Sequence, residues 1–127
     1  INLLRVKASE HQKDHERIRR MIQSCEEIIA YTEGVAHAEF LDNRILQLAI
    51  SKLIEQVAEG ARTLTKTFRE RYDAYPWQDV VDMRNILAHE YWRIDPHAVY
   101  EVAQDYVPEL LDYLLEIHTD MEKRGNV

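Results

Sequence analysis

The chain has 127 residues, 46% of them apolar and 31% charged, with a net charge of −7 and one cysteine. This composition indicates one folded domain over residues 1–127 and excludes a disordered chain or a disulfide scaffold. The acidity disfavours a simple nucleic-acid binder, and no apolar run approaches the ~18 residues of a membrane span, so we expect a cytoplasmic protein with no membrane partner. Three Gly and three Pro leave few turns, which favours long helices.

The first predicted helix covers residues 10–32. Ser9 followed by Gln12 has the spacing of a capping box, and Gly34 is suited to end the helix. Residues 1–8 are expected to form a strand-like or frayed lead. Apolar residues recur at helical spacing at Ile18, Ile22, Cys25 and Ile29. The thiol of Cys25 is therefore expected to be buried and unreactive.

A second helical pattern starts near Glu39 and is predicted to continue to Phe68. Gly60 lies beside its apolar stripe, where we expect it to allow close approach of another helix. The stripe comprises Leu46, Ile50, Leu53, Val57, Ala61, Leu64 and Phe68.

Prolines mark the remaining elements. Pro76 can begin a helix, and Asp95 with Pro96 predicts the cap and first position of another. Pro108 should break or kink that last helix into two pieces. The tail after residue 120 is expected to fray. Together these patterns predict an all-α protein, an antiparallel bundle of four to five helices.

The segment RNILAHEYW, residues 84–92, places polar residues around a short apolar run. Arg84 is suited to hold a phosphate and His89 to transfer protons near neutral pH. On one straight helix His89 lies roughly 140° from Arg84, whereas Tyr91 falls near the face of Arg84. Either the helix ends or distorts near His89, or a second copy of the chain completes the site.

RNILAHEY matches the pattern R-x-x-x-x-H-x-Y and resembles the motif of HEPN-domain proteins, most closely toxins of the HepT type. The similarity extends to PWQDVVDM before the motif, WRIDPHAVYEVAQDYVPELLDYL after it, and the early IIAYTEG. It therefore covers nearly the whole chain. Relatives often have Gly-Glu-Ala in the second long helix, where this chain has VAEGA over residues 57–61.

The resemblance implies a homodimeric helical bundle that cleaves RNA, such as tRNA or mRNA, in a cleft between two motif segments. Arg84 and His89 would be the catalytic residues, with Asn85 and Tyr91 binding or orienting the substrate. The implied activity is that of a metal-independent endoribonuclease without a cofactor, the toxin of a type VII-like toxin–antitoxin pair. Its partner would be an MntA-type nucleotidyltransferase antitoxin that silences it by attaching AMP to Tyr91.

The alternative function is a non-catalytic helical module that docks a nucleotidyltransferase partner, for which the acidic C-terminal third offers a surface. Trp77 and Trp92 are expected to pack in the structure and not to stack on bases. His11 and His15 have metal-ligand spacing but more simply lie on a solvated helix face. The basic segment 62–71 is expected to be a solvated helix end, with a phosphate track as the alternative. His37, His97 and His118 have no partner that the sequence identifies.

Overall fold

The structure is a computed structural model that describes residues 2–87 and 94–125, with side-chain surroundings from Gln12 onward. These residues form helices and turns and contain no β-strand. The helices are α1 (Asn2–Thr32), α2 (His37–Leu41), α3 (Arg44–Thr63), α4 (Lys66–Arg71), α5 (Trp77–Asp82), α6 (Pro96–Glu101) and α7 (Val107–Lys123). A 3₁₀ turn, Met83–Ile86, follows α5, and a π-helical segment, Val102–Tyr106, joins α6 to α7. The expected all-α bundle is confirmed.

Helix α1 lies between α3 and α7 and contacts both. It runs antiparallel to α3: Ser24 donates a hydrogen bond to Gln56, and Met21 lies against Gly60 further along the pair. The core between them is made of fully buried side chains, among them Ile18, Ile28, Ile54, Val57, Val107 and Leu114. Cys25 is buried in this core, and burial raises the pKa of its thiol to about 12. The thiol is therefore protonated at neutral pH, as expected.

Two predicted boundaries are wrong at the N-terminal side. Helix α1 begins at Asn2, so residues 2–8 are helical and Ser9 lies inside the helix instead of capping it. The long second helix is three helices, because the chain turns at two positions. Asn43 caps α3 by accepting a hydrogen bond from the backbone N–H of Leu46, and Leu64 has an extended backbone before Thr65 caps α4. The common apolar stripe continues across these turns, which is why periodicity alone did not separate them.

The C-terminal helices form one continuous helical element, residues 96–123, in which the π-helical segment ends two residues before Pro108. Asp95 caps its start by accepting hydrogen bonds from His97 N–H and Ala98 N–H, and Pro96 occupies the first turn, as predicted. A π segment breaks the regular i→i−4 hydrogen bonding, so the missing N–H of Pro108 does not end the helix. The expected break is thus a change of helix type. Helix α7 also continues to Lys123, beyond the predicted start of fraying.

Within the described ranges, no helix combines the length and the apolar character needed to span a bilayer.

Candidate functional site

The first half of the candidate motif lies on the 3₁₀ turn that follows α5. Met83 is buried and anchors the turn in the core, whereas Arg84 and Asn85 are exposed to solvent. The turn ends at Leu87, whose N–H donates to the Arg84 carbonyl and whose backbone is extended. A tight turn with one buried anchor therefore presents the two polar side chains at the surface.

The position of Arg84 is linked electrostatically to the end of α3. Glu59 of α3 accepts a hydrogen bond from Arg62 Nε at 2.9 Å, and this bond together with the nearby charges of Arg62 and Arg84 lowers the pKa of the Glu59 carboxyl. The Arg84 guanidinium thus lies within electrostatic reach of an ionised carboxylate and a second guanidinium.

His89, Tyr91 and Trp92 lie outside the described residues. The structure nevertheless corrects one step of the sequence argument, because the helix ends at Ile86, before His89. Tyr91 therefore cannot be placed beneath Arg84 by helical spacing. The end of the turn at Ile86 agrees with the first alternative, a helix that ends near His89, and the pairing of two chains stays a prediction.

A surface cavity of about 370 Å³ lies between the motif turn and the C-terminal helix. Its lining comprises Ile86, Ala98, Glu101, Val102, Asp105 and Tyr106. Ile94, the first described residue after the motif, is half-buried, and α6 starts two residues later. The turn itself packs against α3 and α5.

The basic segment 62–71 is largely structural. One guanidinium nitrogen of Arg69 donates to the carbonyl oxygens of Ala61 and Arg62, at 2.8 and 2.7 Å, and so caps the C-terminal end of α3. Lys66 lies 3.8 Å from Glu70. These contacts favour the solvated helix end over a phosphate track. Trp77 is buried and donates its indole N–H to the Tyr72 carbonyl, which confirms its packing role.

The histidines that lacked a sequence partner form two pairs in the structure. His118 faces His15 across α1 and α7 with ring centroids 5.3 Å apart, and His97 contacts His37 across α6 and α2. Neither pair has a sequence signal, because the partners are about 100 and 60 residues apart. Among the described residues no group of three or more His, Cys, Asp or Glu side chains could hold a metal ion.

Comparison with known proteins identifies relatives over most of the chain. A candidate RNase of Methanocaldococcus jannaschii is 29% identical over 71% of this chain and 83% of its own length. A candidate RNase of Caldanaerobacter subterraneus subsp. tengcongensis is 29% identical over 79% of this chain and 89% of its length. A candidate ribonuclease HepT of Thermococcus cleftensis is 24% identical over 69% and 80%, respectively. No solved structure matches this chain.

The model of the family described as "Ribonuclease HepT-like" matches residues 21–117, which include the C-terminal part of α1, all of α3, the 3₁₀ turn with Arg84, and most of α7. This match covers well over half of the chain and agrees with the all-α bundle. The protein belongs to the HepT-like ribonuclease family, a group with the HEPN type of helical fold.

Proposed function

We propose that this protein is a metal-independent endoribonuclease, the toxin of a toxin–antitoxin pair, with Arg84 and His89 as its catalytic residues. The observation that carries the proposal is the family match together with the placement of Arg84 on an exposed, anchored turn. The named relatives are candidate ribonucleases, which supports RNA as the substrate class.

The proposed chemistry is transfer of the ribose 2′ oxygen to the adjacent phosphorus. A base takes the 2′ proton, an acid protonates the 5′ leaving oxygen, and a cation stabilises the charged intermediate. His89 would transfer the protons and Arg84 would bind the phosphate through charge-assisted hydrogen bonds. The products would be a 2′,3′-cyclic phosphate and a free 5′ hydroxyl. The motif of one chain supplies one histidine and one arginine. The motifs of two paired chains would supply a histidine as the base and a histidine as the acid.

Cleavage of RNA in EDTA by the purified protein tests this proposal. Arg84→Ala and His89→Ala should fold normally and lose cleavage, the histidine variant by roughly 10²–10⁴-fold. Arg20→Ala is the matched control, because Arg20 is also exposed but pairs with Glu16 on α1. Cleavage that disappears in EDTA and returns with a divalent ion would contradict the mechanism. If the protein binds a nucleotidyltransferase but never cuts RNA, the non-catalytic docking module is the better description.

The proposed regulation is attachment of AMP to Tyr91 by an MntA-type nucleotidyltransferase antitoxin. Support for this site comes from the position of Tyr91 in the motif, two residues after His89. Helical spacing from Arg84 is not used, because the helix ends at Ile86. A phosphodiester on Tyr91 would add negative charge beside the residues that bind the substrate phosphate. It would compete for Arg84 and inhibit cleavage without unfolding the protein.

Mass spectrometry after incubation with the antitoxin, Mg²⁺ and ATP tests this regulation. Tyr91→Phe should remain folded and take no label. Tyr31→Phe is the matched control, because Tyr31 is 48% exposed on α1 and should leave labelling unchanged. Label on another tyrosine, or full activity of the labelled protein, would refute the regulatory proposal without affecting the catalytic one.

A further inference from the structure

Two imidazole rings from distant parts of the chain meet at the surface, where α2 lies against α6. His97 Nδ1 and His37 Nε2 are 3.2 Å apart, and the two ring planes are perpendicular. Both side chains are exposed to solvent. The proposed cleavage of RNA uses neither histidine.

Both histidines are held by their surroundings. His37 is the first residue of α2, and its ring stacks on Tyr100 with centroids 4.8 Å apart and planes within 6°. The Tyr100 hydroxyl donates to the Val35 carbonyl at 2.7 Å, which ties the start of α2 to α6. The backbone of His97 is fixed because its N–H donates to the Asp95 carboxylate. The two nitrogens are thus brought together by contacts that do not depend on the nitrogens themselves.

The separation of the nitrogens suits two kinds of bond. At 3.2 Å one neutral ring can donate a hydrogen bond to the other. Two imidazole nitrogens bound to one tetrahedral zinc ion at about 2.0–2.1 Å also lie roughly 3.3–3.4 Å apart. A metal ion could therefore be chelated at this separation of the nitrogens, by a rotation of the rings that points both lone pairs at the ion.

We propose that His37 and His97 form a binding site for a divalent transition-metal ion, with water completing the coordination. Imidazole pairs bind Cu²⁺, Ni²⁺ and Zn²⁺, with Cu²⁺ the tightest. Ligation uses the lone pairs of His97 Nδ1 and His37 Nε2, so the N–H of each ring lies on its other nitrogen.

The second histidine pair provides a matched control. His118 Nδ1 is 3.2 Å from the Glu122 carboxylate, and His15 Nε2 is buried without a hydrogen-bond partner among the described residues. His118 Nδ1 is thus occupied by a carboxylate and His15 Nε2 is closed to solvent, so these two nitrogens cannot bind one solvent-exposed metal ion together. His118→Asn should therefore leave metal binding unchanged, whereas His37→Asn and His97→Asn should abolish the site.

The experiment is calorimetric titration of the untagged protein with CuCl₂ or ZnCl₂ at pH 7.5. The parent protein and His118→Asn should share a binding event of about one ion per chain, which either site variant lacks. Electron paramagnetic resonance of the Cu²⁺ form should show hyperfine coupling to two nitrogens, reduced in His97→Asn. Circular dichroism checks that each variant is folded.

Equal titration curves for the parent and both site variants would overturn the proposal, as would no binding at millimolar metal. In either case the contact is a hydrogen bond alone. Cleavage of RNA in EDTA is unaffected by these outcomes, so the test is independent of the proposed ribonuclease activity.

Discussion

Asp14 is a buried carboxylate on α1, only 4% exposed, that joins α1 to the start of α4. It accepts hydrogen bonds from the Thr65 backbone N–H at 3.0 Å and from the Thr65 hydroxyl, and Arg17 lies 3.2 Å away. The same Thr65 hydroxyl accepts a hydrogen bond from Phe68 N–H and so caps α4. Asp14 is thus a long-range support for a local helix cap.

Asp14→Ala should lower the free energy of unfolding by about 2–3 kcal/mol, because it leaves the partly buried Thr65 N–H and hydroxyl without their charged acceptor. Urea denaturation followed by circular dichroism measures the loss. Glu16→Ala is the control: Glu16 is close in sequence but forms only exposed pairs with Arg19 and Arg20, so its removal should change stability by less than about 1 kcal/mol. Equal losses for the two variants would show that burial of Asp14 does not matter.

His15 makes the stability of the fold dependent on pH. Burial, followed by the charges of His118 and Arg19, lowers the pKa of His15 below its ordinary value of 6.5. The unfolded chain therefore takes up a proton at higher pH than the folded chain. Its contribution to stability is full above pH 6.5 and is lost as the pH falls through the folded pKa.

Unfolding free energies measured between pH 7.5 and pH 5 should fall with decreasing pH in the parent protein. In His15→Gln, which cannot be protonated, that decline should be shallower. His37→Gln is the matched control, because His37 is exposed and its ring is not part of this pair. An identical pH profile for His15→Gln and the parent would contradict this assignment.

At the scale of helices, the contact between α1 and α3 depends on Gly60. A Cβ at this position would lie 2.6 Å from Met21 Cγ and 3.0 Å from Met21 Sδ. Alanine in a helix is ordinarily more stable than glycine by about 1 kcal/mol, but overpacking costs roughly 1–3 kcal/mol. The steric term should dominate because Met21 is itself buried.

Gly60→Ala should therefore destabilise the protein in thermal or urea unfolding, although substitution of a helical glycine usually stabilises. Combining it with Met21→Ala tests the cause. The double variant should be more stable than the sum of the two single changes predicts, because removal of the methionine side chain relieves the clash. Strict additivity would mean that Gly60 and Met21 do not interact.

The sequence predicted the features of these helices that depend on neighbouring residues. The cap at Asp95 with Pro96, the end of α1 before Gly34, and the close approach at Gly60 all have local signals. The start of α1 was predicted too late because Ser9 and Gln12 have the spacing of a capping box although both lie inside the helix. The Asp14–Thr65 and His37–His97 contacts were missed because they join residues 51 and 60 positions apart, which no local pattern encodes. For the candidate site, the resemblance of the motif identified residues whose roles stay a prediction, and the structure adds the turn at residues 83–86 that presents Arg84.

For the whole molecule, the proposed cleft requires two chains to pair with their motif segments together. Asn85→Cys places an exposed thiol beside Arg84. The natural Cys25 should not react with the cross-linker, because it is buried and its thiol has a pKa of about 12. A short bifunctional maleimide should then link two chains through residue 85. Asp73→Cys, also exposed but on the loop after α4, should remain unlinked.

Light scattering should independently give twice the mass of one chain at micromolar concentration. A monomer in solution, or equal linking of both cysteine variants, would contradict pairing at the motif.

The position of α1 between α3 and α7 also determines the order in which the molecule can fold. The α1–α3 contact closes a loop of about 30 residues, as between Ser24 and Gln56, whereas His15 meets His118 only after about 100 residues. Closing the longer loop costs more entropy, so an α1–α3 hairpin should form first and α7 dock later. During synthesis on a ribosome, the apolar side of α1 that packs against α7 would remain exposed to solvent until residues 107–123 have emerged. During that interval the motif turn at residues 83–86, which packs against α3 and α5, would already be synthesised, and the exposed side of α1 would be open to chaperones.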